Sequence, residues 1–211
     1  MGSFKPFNMP MRRSRLTKRP LRAIGRGGLY LLLKLLHALG GSVLYMRART
    51  WSLRRSGVVF EGPPGFIDPS AVFDTSRKIV LGSGTVVARD TYLLTHDYSI
   101  TPAADYVGQL GEMDLNITGE IHIGKNCFLG LRSIVLPGSE IGDGVIVGAA
   151  SVVRGKIPSG VVVFGNPATV YERTESWVMR KLTSPSSHQH LSQCKPKTTR
   201  TRFLRGSREM I

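Results

Sequence analysis

The chain has 211 residues, with 29 Lys/Arg against 14 Asp/Glu, a formal net charge of +15 and two cysteines. That length suits one domain with appendages, and two cysteines give neither a disulfide framework nor a zinc pattern. Residues 1–60 hold 13 Lys/Arg and no acid, residues 61–173 hold 8 against 12, and residues 174–211 hold 8 against 2. The mildly acidic middle therefore has no basic stripe to neutralise a phosphate backbone, and nucleic acid is not the expected partner.

Residues 1–58 read as a basic segment containing one apolar helix. In Gly27–Met46, Leu29, Leu32, Leu33, Leu36 and Val43 share a helical face, while Lys34 and His37 fall on another. Three readings are open for it. A spanning helix has the length but would bury Lys34. A cleaved signal would need a long basic leader before its apolar core. A docking or interfacial helix with basic flanks fits best, with peripheral contact to an anionic membrane through residues 1–50. Cys127 reads as core packing and Cys194 lies in a polar tail, which fits a reducing, cytoplasmic setting.

Residues 59–173 carry a different period. Ile67, Phe73 and Ile79 are spaced by six, as are Leu81, Val87 and Leu93, the two sets being two residues out of frame. A bulge is expected near Ile79–Leu81. Residues 98–116 show no clean hexads and read as an extruded loop, beginning just after His96. Ile117, Ile123, Leu129, Val135, Ile141, Val147 and Val153 then recur every six residues. Gly124, Gly130, Gly142 and Gly148 follow an aliphatic, and Cys127, Ser133, Ser139, Val145 and Ser151 stand four after one. A period of six fits neither helix nor pleated strand. It fits short parallel strands wound around a prism, with the aliphatic in the core and glycine relaxing the backbone of the turn. Residues 174–211, polar and basic, read as a disordered tail.

The run IHIGKNCFLGLRSIVLPGSEIGDGVIVGAASVVRGKIPSGVVVFGNPATV, with FDTSRKIVLGSGTVVARDTYLLTHDYSIT before it, resembles the hexapeptide-repeat acyltransferases. It is most similar to the maltose/galactoside-type and polysaccharide O-acetyltransferases. The resemblance covers about residues 60–173. It implies an all-β, left-handed parallel β-helix, a homotrimer, acetyl-CoA as co-substrate and a carbohydrate acceptor. It implies His96 of the Thr95-His96-Asp97 element as general base, a task that neutral imidazole suits near pH 7. Coenzyme contacts are implied at Gly130, Gly148, Ala149, Arg154, Lys156 and Asn166, with backbone N–H groups of the glycine-rich coils as oxyanion donors. Family acceptor contacts map near Asp68, Ser70, Asp74 and Asp97. An N-acetyltransferase on an amino sugar, or a non-catalytic scaffold on the same coils, are the alternatives. No metal is expected, since the five histidines lack the HxxxxH pair of the carbonic anhydrases that share this fold.

Overall fold

A computed structural model describes residues 42–109 and 114–183, together with helical Gly28, Leu31 and Leu35. Helix α1 (Ser42–Arg55) is followed by β1 (Val58–Glu61) and a succession of very short strands. The strands stack in three parallel sheets: Val58–Glu61, Ile79–Gly82, Ile121–Ile123, Glu140–Ile141 and Lys156–Ile157 in the first; Phe66–Ile67, Val86–Val87, Phe128–Leu129, Ile146–Val147 and Val161–Gly165 in the second; Val72–Phe73, Tyr92–Leu93, Ile134–Val135 and Val152–Val153 in the third. The chain visits the three in rotation, which makes a parallel β-helix of triangular section.

The hexad positions form its core. Ile67, Leu81, Val87, Leu93, Leu129, Val135, Val147 and Val153 are fully buried, as are Ser133, Ser139 and Val145 from the small-residue slot. The glycines do not act as the sequence suggested. Gly124, Gly130, Gly142 and Gly148 have no left-handed backbone. A Cβ on Gly130 would instead lie 2.7 Å from the backbone N of Ala149 in the next coil, too close for any real contact. The left-handed residue of a corner comes three after the aliphatic, and Asp90, Asn126, Arg132 and Ala150 occupy it with φ of 53–56°.

Helix α1 docks on the amino-terminal end of the prism, where the first coil has no neighbour. Tyr45, Met46 and Leu53 are buried there. The Tyr45 hydroxyl donates to Ile67 O, and an Arg49 guanidinium nitrogen donates to Ala71 O at 2.6 Å. Burial pushes the Tyr45 phenol well above its ordinary value. Among the described residues no helix is long and apolar enough to cross a membrane. Most of Gly27–Met46 lies outside the described residues, and so does Cys194.

The far end is closed by a strand, Ala168–Arg173, antiparallel to Val161–Gly165, and by a helix, Thr174–Thr183. That helix corrects the reading of the tail as disordered from residue 174. Its first turn carries Glu175 and its last turn Arg180 and Lys181, complementing the helix dipole. Thr174 ties its start to the coils through Gly160 O and Gly144 O. Residues 184–211 lie outside the described residues.

Two further expectations give way. No bulge interrupts Ile79–Gly82, which pairs continuously with Val58–Glu61 on one side and, from Ile79 to Leu81, with Ile121–Ile123 on the other. The two extra residues fall in the corner before that strand. Ile117 is not a core hexad: it is 49% exposed in an antiparallel hairpin stem, where His96 pairs with Thr118 and Asp97 with Ile117. The loop rejoins the coil at Ile121, and its tip carries helix α2 (Ile100–Tyr106).

Candidate active site

One edge of the prism collects the irregularities. From Ile67 to Val163, the corners after the second and first sheets keep six-residue spacing: Ile67 to Phe73, Leu129 to Val135, Ile141 to Val147. The corner after the third sheet does not. Eight residues separate Phe73 from Leu81, 30 separate Leu93 from Ile123, six separate Val135 from Ile141 and four separate Val153 from Ile157. Core-filling strands dictate a fixed period, so a departure confined to one edge frees that edge for another purpose.

His96 stands there, at the first residue of the extruded hairpin, with its side chain 36% exposed. Its Nδ1 lies 2.6 Å from Oδ2 of Asp74, in the corner of the coil below. The same oxygen accepts from Thr95 N at 2.8 Å and lies 2.7 Å from Thr95 Oγ1, while Oδ1 accepts from Ser76 N at 3.1 Å and Ser76 Oγ at 2.7 Å. Burial opposes ionisation of this carboxyl, but the hydrogen bonds from Thr95 and Ser76 outweigh it and hold Asp74 well below the usual carboxylate range. A carboxylate only accepts, so Nδ1 carries the imidazole proton and Nε2 presents its lone pair. The Tyr98 ring meets the His96 ring edge-on at 5.4 Å.

The residues expected at the acceptor separate. Asp74 has both oxygens engaged and supports His96 rather than a ligand. Asp68 and Ser70 sit on another edge, in the corner between Ile67 and Val72. There the Ser70 hydroxyl donates to Asp68 Oδ1 at 2.7 Å and accepts from Asp90 N at 2.9 Å. They do not join His96 within one chain. Asp97 is exposed beside His96. Its carboxyl is lowered first by hydrogen bonds from Ser99, the backbone N–H lying 2.8 Å from Oδ1, and secondarily by Arg154.

The coenzyme candidates scatter likewise. Gly130 and Gly148 are on the edge of Asp68, and their N–H groups already donate to Val147 O and Val163 O, each at 2.8–2.9 Å. They are therefore not available as oxyanion donors. The Phe164 ring covers Gly148, where a Cβ would collide with it. Ala149 is exposed next to it. Lys156 lies on the outer face of the first sheet, its Nζ 3.0 Å from Glu140 Oε2. Arg154 lies on the His96 edge and has no ion pair among the described residues. Asn166 is exposed in the turn at the end of the prism, joined to Pro167 by a cis bond.

A groove of about 690 Å³ runs over the first sheet past Glu61, His122, Glu140, Lys156 and Ser159 and does not include His96. His122 is exposed there, with Nε2 3.2 Å from Glu120. Among the described residues no group of His, Cys, Asp and Glu is placed to hold a metal.

Thr95, which ties His96 and Asp74 together, and Tyr98 carried no signal beyond adjacency to the histidine. Asp74 had one: counting 20 residues from Ile67 to Val87 stacks its corner beneath Leu94–His96.

Residues 120–154 match the family model described as hexapeptide repeat of succinyl-transferase. The putative colanic acid biosynthesis acetyltransferase WcaF of Escherichia coli is 38% identical over 103 residues, 48% of this chain and 52% of that protein. The putative lipopolysaccharide biosynthesis O-acetyl transferase WbbJ of the same organism is 29% identical over 120 residues, 56% of this chain and 61% of that protein. The chain thus spans between half and two thirds of these relatives. The galactoside acetyltransferase solved in complex with coenzyme A superposes with a TM-score of 0.51 at 18% identity, covering 79% of this chain and 92% of that one, a likeness of fold. The repeat, its coils and these relatives make the chain similar to hexapeptide-repeat acetyltransferases, the matched family model covering residues 120–154.

Proposed function

We propose that the protein transfers an acetyl group from acetyl-CoA to a carbohydrate hydroxyl in polysaccharide biosynthesis, with His96 as general base. The observation that carries this reading is the Asp74–His96 contact on the irregular edge. Acetyl-CoA, when bound, supplies the acetyl group as a thioester. His96 Nε2 accepts the acceptor's hydroxyl proton as that oxygen attacks the acetyl carbonyl, then returns the proton to the departing sulfur. Asp74 holds Nδ1–H, fixes the ring and stabilises the transient imidazolium. No covalent enzyme intermediate is needed. Arg154, an exposed cation whose acidic neighbour is the exposed Asp97, suits a coenzyme phosphate. Lys156, paired with Glu140, suits it less.

The active unit in this reading is a homotrimer. The outward positions of the third sheet are Val72, Tyr92, Ile134 and Val152, in register, and those of the second include Phe66, Val86, Phe128 and Ile146. The first sheet instead presents His122, Glu140 and Lys156. Two apolar faces and one charged face on a triangular prism suit cyclic closure around three copies. The neighbour would then supply what the scattered coenzyme residues leave incomplete in one chain.

Free CoA release in an acceptor screen, with mass spectrometry of the acetylated sugar, tests the activity. Transfer only to amino groups would favour the N-acetyltransferase alternative. Absence of both hydrolysis and transfer would leave the scaffold reading.

A further inference from the structure

The irregular edge has a second consequence for what it accepts. The enlarged corner Asp74–Lys78 lies directly beneath His96 and contains Arg77 and Lys78. Arg77 N donates to Thr95 Oγ1 at 3.1 Å, and Lys78 O accepts from Ile121 N at 3.0 Å, where the extruded loop rejoins the coil. The backbone of this basic pair is thus fixed to the residue before the histidine and to the foot of the loop. Both side chains are exposed.

Among the described residues neither has an ion pair, whereas Arg154 on the same edge lies near enough to Asp97 to lower its carboxyl. Arg132, Lys156 and Arg180, by contrast, face Asp90, Glu140 and Glu172. The acids nearby are largely committed. Asp74 is engaged by Ser76, Thr95 and His96, Glu120 faces His122, and Asp97 Oδ1 accepts from Ser99. The domain as a whole is acidic, and Arg77 and Lys78 set two adjacent exposed cations without an ion pair, among the described residues, on its irregular edge.

We propose that Arg77 and Lys78 bind an anionic group of the acceptor, so that the hydroxyl presented to His96 belongs to an acidic sugar carrying a carboxylate. This rests on the acetyltransferase reading and narrows its substrate class. A guanidinium takes a carboxylate in a two-point contact, which fixes orientation as well as adding attraction. The Tyr98 ring, 55% exposed beside His96, offers an apolar wall to the sugar ring.

The test uses saturation-transfer NMR at about 0.15 M salt with two probes, a neutral β-linked oligosaccharide and the same oligosaccharide with its terminal sugar oxidised to a uronate. The full-length protein is expected to favour the uronate by about fivefold, the worth of one good exposed ion pair. Arg77→Gln/Lys78→Gln is expected to lose that preference at an unchanged melting temperature. Lys125→Gln/Lys181→Gln, which removes the same charge elsewhere, is expected to keep it. Arg77→Gln alone, expected to lose most of it, serves if the double variant folds poorly. Equal binding of both probes, binding of neither, or a preference surviving Arg77→Gln/Lys78→Gln overturns the proposal. CoA release with neutral acceptors but not with uronates would also overturn it while leaving acetyl transfer intact, so the two readings fail separately.

Discussion

Asp74 Oδ2 and His96 Nδ1 meet at 2.6 Å across two stacked coils, although 22 residues separate them in sequence. The contact exists because the first full coil is 20 residues long rather than 18, which brings the Asp74 corner beneath the start of the extruded hairpin. In the proposed mechanism it sets the tautomer and aim of His96. Asp74→Asn offers Nδ1 an amide that can donate or accept, so the favoured tautomer is no longer enforced. Steady-state kinetics should show kcat falling by about 10- to 1,000-fold, within the range set by loss of the base itself, with the acetyl-CoA KM little changed. An unchanged kcat would show that Asp74 is only a corner residue.

The same carboxyl fixes a pH dependence of stability. Its folded-state pKa is depressed, so its contribution is fully present above the unfolded value of about 3.9 and is lost as pH falls towards the folded value. The melting-temperature gap between wild type and Asp74→Asn should narrow below about pH 4. A gap that kept its full size below about pH 4 would contradict the hydrogen-bond network.

Tyr45→Phe tests the docking of helix α1. It removes the buried donor to Ile67 O and should cost about 1–3 kcal/mol in chemical denaturation, the penalty of an unsatisfied buried acceptor. Tyr45→Ala adds a cavity and should cost about 3–5 kcal/mol. A neutral Tyr45→Ala would mean that the helix does not cap the core.

Gly130→Ala tests the stacked corners. Its Cβ would fall 2.7 Å from the backbone of Gly148 and Ala149, so the coils must part there, at a cost of about 1–3 kcal/mol. A left-handed turn as the reason for this glycine would have predicted strain. The left-handed residue is Arg132, and Arg132→Gly should be tolerated or mildly stabilising.

The hexads from Ile123 to Val153 were legible because each core position is filled by the same kind of side chain at a fixed spacing. The extruded loop and His96 were legible as the place where that spacing stopped. Ile117 misled because it stands in frame by coincidence, while the burial of Ile121 and Ile123 shows where the coil resumes. The Asp74 contact, the pairing of Lys156 with Glu140 and the engaged N–H groups of Gly130 and Gly148 are properties of stacking between coils. Spacing within one coil does not reveal them. The helix at Thr174–Thr183 was obscured by the polar tail that follows it.

The most direct test of the account is kcat for His96→Ala on an acceptor identified by CoA release. The account predicts a fall of about 10²–10⁴-fold with acetyl-CoA affinity, oligomeric state and melting temperature retained, because His96 fills no core position. Turnover above about a tenth of wild type would contradict it, since removal of a general base costs far more than that.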